Sequence, residues 1–226
     1  MHFALCIIPI NSDFEGDPMI IRTIPLGPVR ANTYIVTDEK SGSTFIVDAG
    51  AYNPRLERLI NDKKIEYILL THGHFDHIMG VSELKKRFPD AKVCIHEADA
   101  PMLSDDMLSL AFAFGAGVDK DLKADIILHD GDELPFGDKK IRVIHTPGHT
   151  KGGVTYMIDD CMFTGDTLFC GSVGRTDFPG GDSKELNDSI CRLFDIDGDF
   201  NVYPGHDMNT TLSDERKNNP YVDWRK

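Results

Sequence analysis

Thr71-His72-Gly73-His74-Phe75-Asp76-His77 sets four potential metal ligands within six residues, directly after the apolar stretch 66–70. That stretch is short and β-rich, so it reads as a strand. Open α/β folds place their sites at the C-terminal ends of such strands. His72 and His74 are two residues apart, and in an extended segment they project to the same side. Asp76 and His77 lead into a helix expected over 77–88, with Ile78, Val81, Leu84 and Phe88 at helical spacing and Pro89 as its stop. One turn can therefore aim donors at two neighbouring points. Neutral imidazole and carboxylate suit Zn²⁺, and also Fe or Mn.

Three stretches downstream have the same design. His145-Thr146-Pro147-Gly148-His149-Thr150 follows an expected strand at 141–144, and its Pro and Gly make a tight turn that presents His149. Phe163-Thr164-Gly165-Asp166-Thr167 ends the strand 161–163 on a carboxylate, and Tyr203-Pro204-Gly205-His206 ends the strand 201–203 on a histidine. Each donor lies in a strand-end loop, so all of them can converge on one edge of a sandwich.

The rest of the chain supplies the frame. Further strands are expected at 20–24, 33–37, 44–47, 92–95, 126–128 and 154–158. Helices are expected at 54–62, with Asn53 as cap and Pro54 in the first turn, at 183–194, and as a last turn at 213–218. Residues 97–124 read as mainly helical, in two pieces. Strands in both halves with interspersed helices suit a layered αββα arrangement. Composition alone does not separate it from other α/β folds; the motifs do.

With these motifs in view, the sequence resembles the metallo-β-lactamase superfamily, and most of all its glyoxalase II-like branch, the hydroxyacylglutathione hydrolases and their short relatives. The patterns THxHxDH, GHTxGG, TGDTLF and PGH carry the resemblance, which runs from about residue 20 to the end. It implies a four-layer αββα sandwich, with 1–226 as one domain and 1–18 as an N-terminal extension. It also implies two divalent metal ions, zinc first and iron or manganese as alternatives. His72, His74 and His149 would bind one ion, and Asp76, His77 and His206 the other. Asp166 would bridge them, since two close dications need a shared anionic ligand. Asp76 and Asp166 are the carboxylates it brings into catalysis. The reaction implied is hydrolysis of a small thioester such as S-lactoylglutathione by a metal-activated hydroxide.

Two residues outside the ligand set are singled out by the same resemblance. Asp48, in Val47-Asp48-Ala49-Gly50, either orients a histidine by accepting its other N–H or merely ends a strand. Arg175, in Gly171-Ser172-Val173-Gly174-Arg175-Thr176-Asp177, matches the place of a basic residue that grips a thiol cofactor's carboxylate, or braces its own loop through Asp177. The GRTD stretch is shared with persulfide dioxygenases, mononuclear-iron enzymes of the same fold and the first alternative; a lactonase is the second. Full-length glyoxalase II carries a further C-terminal helical domain, whereas only 207–226 follow His206 here, which leaves glutathione specificity open. His145 is assigned a structural role or one supporting a ligand, His96 and His129 bond locally or meet solvent, and His2 is near a terminus. The apolar stretch 107–118 is read as a movable wall over the pocket or as a buried core helix ending on glycine.

Composition excludes several classes. The net charge of −13 disfavours nucleic acid and anionic membrane surfaces as partners. No apolar run approaches the ~20 residues of a bilayer span. The start, MHFALCIIPI, lacks a Lys/Arg region and a clear cleavage site, so it reads as an extension or first strand rather than a signal peptide. The five cysteines are odd in number, widely spaced and without a CxxC, which fits a reducing cytoplasm. A full ligand set argues against a non-enzymatic binding protein, and Asp166 departs from the cysteine that many zinc β-lactamases carry at that point.

Overall fold

A computed structural model describes residues 19–222. The first half contains β1 (Met19–Leu26), β2 (Ala31–Asp38), β3 (Ser43–Val47), α1 (Pro54–Ile60), β4 (Lys64–Leu69), α2 (Phe75–Ile78), α3 (Val81–Arg87), β5 (Lys92–His96) and β6 (Ile126–Leu128). The second contains β7 (Glu133–Phe136), β8 (Lys139–His145), β9 (Val154–Ile158), β10 (Cys161–Gly165), β11 (Leu168–Phe169), β12 (Ser172–Val173), α4 (Ser183–Phe194), β13 (Asn201–Pro204), β14 (Thr210–Thr211) and α5 (Leu212–Asn218). One six-stranded sheet runs β1-β2-β3-β4-β5-β6 and the other β14-β13-β10-β9-β8-β7, with β11 and β12 as a separate hairpin.

Alternation along the strands explains why the layers stack. Tyr34, Val36, Phe45, Val47 and Leu69 point inward, where they meet Phe136, Val143, Tyr156 and Phe163 of the other sheet. Their neighbours Ile35, Ile46 and Ile68 point outward and are covered by Leu56, Ile60, Ile78, Val81 and Leu84 of the first helices. On the far side, Ile144, Met162 and Val202 pack under Leu186, Ile190, Leu193 and Leu212 of α4 and α5. Both sheets are thus covered on both faces, and strands such as β2, β3 and β10 are buried along their whole length rather than half exposed. The result is the four-layer αββα sandwich. β3, β4, β5 and β6 run parallel, and β10 pairs parallel with β13 across the α4 crossover. The loops after β4, β10 and β13 therefore leave from C-terminal strand ends.

The helix expected over 77–88 begins earlier and is broken. α2 starts at Phe75, which puts both Asp76 and His77 inside a helical turn. The break falls at Gly80, whose amide donates to Ala49 O at 2.7 Å, and a Cβ there would stand 2.5 Å from the Ala51 carbonyl carbon. The helical expectation for 97–124 fails: only 3-10 turns at Ala100–Ser104 and Phe112–Phe114 form. Side chains explain this, since Asp105 accepts the Met107 and Leu108 amides and Asp106 accepts that of Val118, in place of helical partners. The buried-helix reading of 107–118 is overturned with it, because Met107, Leu108, Phe112 and Phe114 are all exposed. β7 was not expected, and it carries Pro135, which suits its place at a sheet edge. The expectation for 1–18 lies outside the described residues.

The two sheets are tied near the site by polar groups of β2. Tyr34 donates its hydroxyl to Pro204 O at 2.6 Å, and the Asn32 amide donates to Pro204 O and Asp207 O, both at 3.0 Å. The Asn32 backbone N–H meets Gly205 O at 2.7 Å. The loop carrying His206 is thereby pinned from the opposite sheet. Asn32→Ala removes these side-chain donors from a position only 2% exposed. Urea denaturation is expected to report a loss of about 1 kcal/mol, the net worth of the lost hydrogen bonds, since Pro204 O keeps the Tyr34 hydroxyl.

Candidate metal centre

All seven residues expected as ligands come together at one edge of the sandwich. His72 and His74 leave the end of β4, Asp76 and His77 sit on α2, His149 follows β8, Asp166 follows β10, and His206 follows β13. They form three overlapping groups: His72, His74 and His149; His72, His77 and Asp166; Asp76, His77 and His206. Within each group the donor atoms lie within 4.8 Å of one another. His74 Nδ1 is 2.9 Å from His149 Nε2, and His206 Nε2 is 3.3 Å from Asp76 Oδ2. Asp166 stands between the outer groups: its Oδ1 is 3.5 Å from His77 Nε2 and its Oδ2 is 3.5 Å from His149 Nε2.

The donor chemistry fits a metal. His72 Nε2, His77 Nε2 and Asp166 Oδ1 are buried and have no hydrogen-bond partner. Such orphaned atoms are costly inside a protein unless something binds them. Exposure is uneven across the cluster. His77 is 0% exposed, whereas the His206 side chain is 23% exposed.

The far nitrogens of the rings are fixed by acceptors. His77 donates Nδ1–H to Asp48 Oδ2 at 2.8 Å, and His149 donates Nδ1–H to the Arg175 carbonyl at 2.7 Å. Carboxylates and carbonyls only accept, so in both rings Nε2 is left facing the cluster. His72 is served through a relay: its Nδ1 lies 3.1 Å from Thr71 Oγ1, which donates to Asp48 Oδ2 at 2.8 Å. Asp48 thus orients histidines and is also a strand-end residue with φ of 53°.

Charge divides the cluster. Burial, then the neighbouring His149 and His77, push His74 down to about 3, and burial with the adjacent histidines depresses His72 well below the usual imidazole range. These rings are held neutral, the form that can donate a lone pair. Burial also works against charge on His77, but Asp76, Asp48 and Asp166 outweigh it and raise it to about 10. Burial would raise the Asp76 carboxyl, yet His77 and His206 hold it below the usual carboxylate range. The carboxylate-rich half draws positive charge, which a dication can supply in place of protons.

Glycines let the loops close. A Cβ on Gly205 would lie 2.1 Å from Asp166 Oδ1 and 2.9 Å from His77 Cε1, so only glycine fits beside the donors. Outside the cluster, Arg175 pairs with Asp177 through Nε and Nη2, both at 2.7 Å, and lies over the Phe178 ring. That ring is 5.9 Å from His74. His145 stacks on His96 at 4.1 Å and meets Lys151 O at 2.9 Å, away from the donors, and His129 sits near Glu97. Cys94, Cys161, Cys170 and Cys191 are free thiols.

Sequence reasoning missed Thr71, Asp99 and the Arg175 carbonyl. Thr71 was within reach, since it opens the motif. Asp99 accepts the amides of Gly73 and Gly152 at 3.0 and 2.7 Å, and nothing in its neighbourhood of sequence marks it. No described helix is long and apolar enough to cross a membrane.

Residues 26–206 match a family model described as the metallo-beta-lactamase superfamily. The hydroxyacylglutathione hydrolase GloC of Haemophilus influenzae is 32% identical over 210 residues, covering 90% of this chain and 98% of its own. Among solved structures, BLEG-1, described as a B3 metallo-beta-lactamase, aligns with a TM-score of 0.85 at 32% identity, covering 90% of this chain and 99% of that one. TTHA1623, in a di-iron-bound form, aligns with a TM-score of 0.78 at 35% identity, covering 88% and 99%. Fold, donor cluster and these likenesses agree, and the chain belongs to the metallo-beta-lactamase superfamily.

Proposed function

We propose that this chain is a metal-dependent hydrolase of a small thioester of the S-lactoylglutathione type. The observation that carries the hydrolase reading is the seven-residue cluster with unpartnered His72 Nε2, His77 Nε2 and Asp166 Oδ1. The thioester reading is supported by the likeness to GloC and by the Gly-rich loop 171–177 beside the cluster.

In this reading His72, His74 and His149 would hold one divalent ion and Asp76, His77 and His206 the other, with Asp166 shared between them. Zinc is the first choice and iron the second, since a similar protein was solved with two irons. A bound divalent metal lowers the pKa of water to about 7 and polarises a carbonyl. The chain's own part is placement. Asp48 keeps His77 Nε2 and, through Thr71, His72 Nε2 aimed inward; the Arg175 carbonyl does the same for His149. Arg175 has a second role in reach. Its guanidinium lies over Phe178, which flanks His74, so a substrate carboxylate that displaces Asp177 would meet a planar two-pronged donor.

Three outcomes test this. Purified protein should hydrolyse S-lactoylglutathione, lose turnover on chelation, and regain it when Zn²⁺ or Fe²⁺ is restored. No turnover by fully metallated protein would remove this substrate, and oxygen uptake with glutathione persulfide would then test the dioxygenase alternative. Asp166→Ala should lower kcat by at least about 100-fold and reduce bound metal below two per chain, as measured by elemental analysis; near-normal turnover with both metals retained would sink the bridging role. Arg175→Ala should raise KM for an anionic thioester several-fold with little change in kcat. An unchanged KM would remove Arg175 from substrate binding.

A further inference from the structure

We propose that Asp99 preorganises the three-histidine group by joining the backbone of the loop carrying His72 and His74 to that of the loop carrying His149. The proposal rests on the reading of these histidines as metal ligands. Asp99 follows β5 and is 1% exposed. Its Oδ2 accepts the amide of Gly73, the residue between His72 and His74, at 3.0 Å. Its Oδ1 accepts the amide of Gly152, three residues past His149, at 2.7 Å. One carboxylate therefore spans two loops from different sheets.

Both loops press close to this residue. A Cβ on Gly152 would lie 2.6 Å from Asp99 N and 2.7 Å from its carboxyl carbon, and one on Gly73 would lie 3.1 Å from Asp99 O. Asp99 is itself anchored, its N–H donating to His96 O at 3.1 Å and its carbonyl accepting from Met102 N at 2.9 Å. The far end of the second loop is closed by Thr146 N donating to Gly153 O at 2.8 Å. The clamp is thus short at every link.

A carboxylate suits this place because it accepts in two directions at once. An amide of the same shape accepts in one and turns an N–H₂ toward the other N–H. The clamp also has work to do. His74 Nδ1 and His149 Nε2 stand 2.9 Å apart, within hydrogen-bond distance across the two loops, so the spacing of the donors follows the spacing of the loops. Loops free to shift would lose that spacing. Asp99 touches none of the donors, so it is a positioning residue and not a catalytic one.

Two measurements test it. The first is competitive chelator titration of Zn²⁺ with wild type and Asp99→Asn. One metal equivalent should weaken about 10–100-fold while the other holds its affinity. Equal weakening of both, or of neither, overturns the proposal. A wild type that binds no Zn²⁺ instead defeats the metal reading. The second is amide exchange by NMR on the unaltered, chelated chain, which decides even where Asp99→Asn fails to fold. Slow exchange at Gly73 and Gly152 is expected. Fast exchange there overturns preorganisation whether or not metal binds.

Discussion

The carboxylate of Asp48 is the joint on which the centre turns. It is 1% exposed and receives the Thr71 amide, the Thr71 hydroxyl and the His77 ring, each at 2.8 Å. A buried carboxylate is costly unless its lone pairs are filled, and here they are filled by groups that must themselves be aimed. The left-handed backbone at Asp48, which aspartate tolerates better than most residues, turns the chain off β3 toward α2. Ala49 N then reaches His77 O, and Gly80 N reaches Ala49 O, both at 2.7 Å. One residue thus closes β3 onto α2, orients two histidines and stops the helix from running on.

That joint works only because the layers bring strand ends to one edge. A sheet buried on both faces has no polar side from which to build a site, so polar chemistry is displaced to the loops. The apolar runs of β2, β3 and β10 and the donors after β4, β10 and β13 are two consequences of the same layering. Tyr34 and Asn32 show how closely the two are coupled: residues of one sheet hold the loop that ends a strand of the other.

The strands were legible because alternation and bounding Gly, Pro and Asp are local properties. The donors were legible because they cluster in short motifs at strand ends. What failed was decided by competition at short range or contact at long range. The stretch 97–124 has helical composition, yet Asp105 and Asp106 capture amides that a helix would need. The break at Gly80 depends on Ala49 and Ala51, thirty residues away in sequence and adjacent only after folding. Asp99 was invisible for the same reason: its partners, Gly73 and Gly152, are glycines whose sequence signal gives no hint of what their amides meet. A carboxylate that binds backbone has no side-chain partner to betray it.

The surroundings of the cluster bear on what can approach it. The chain carries a net charge of −13, and Arg175, whose carbonyl meets His149, has its guanidinium engaged by Asp177. An anionic substrate therefore finds little attraction in the protein alone. On the proposed reading, divalent ions would set positive charge against the carboxylates of Asp48, Asp76 and Asp166 and so offset the local negative sign. Exposed Phe114 adds apolar surface nearby, stacking at 4.8 Å on Phe75, which lies between His74 and Asp76. On the proposed reading, a small anion with an apolar body suits this surface, and Arg175 would have to release Asp177 before holding it.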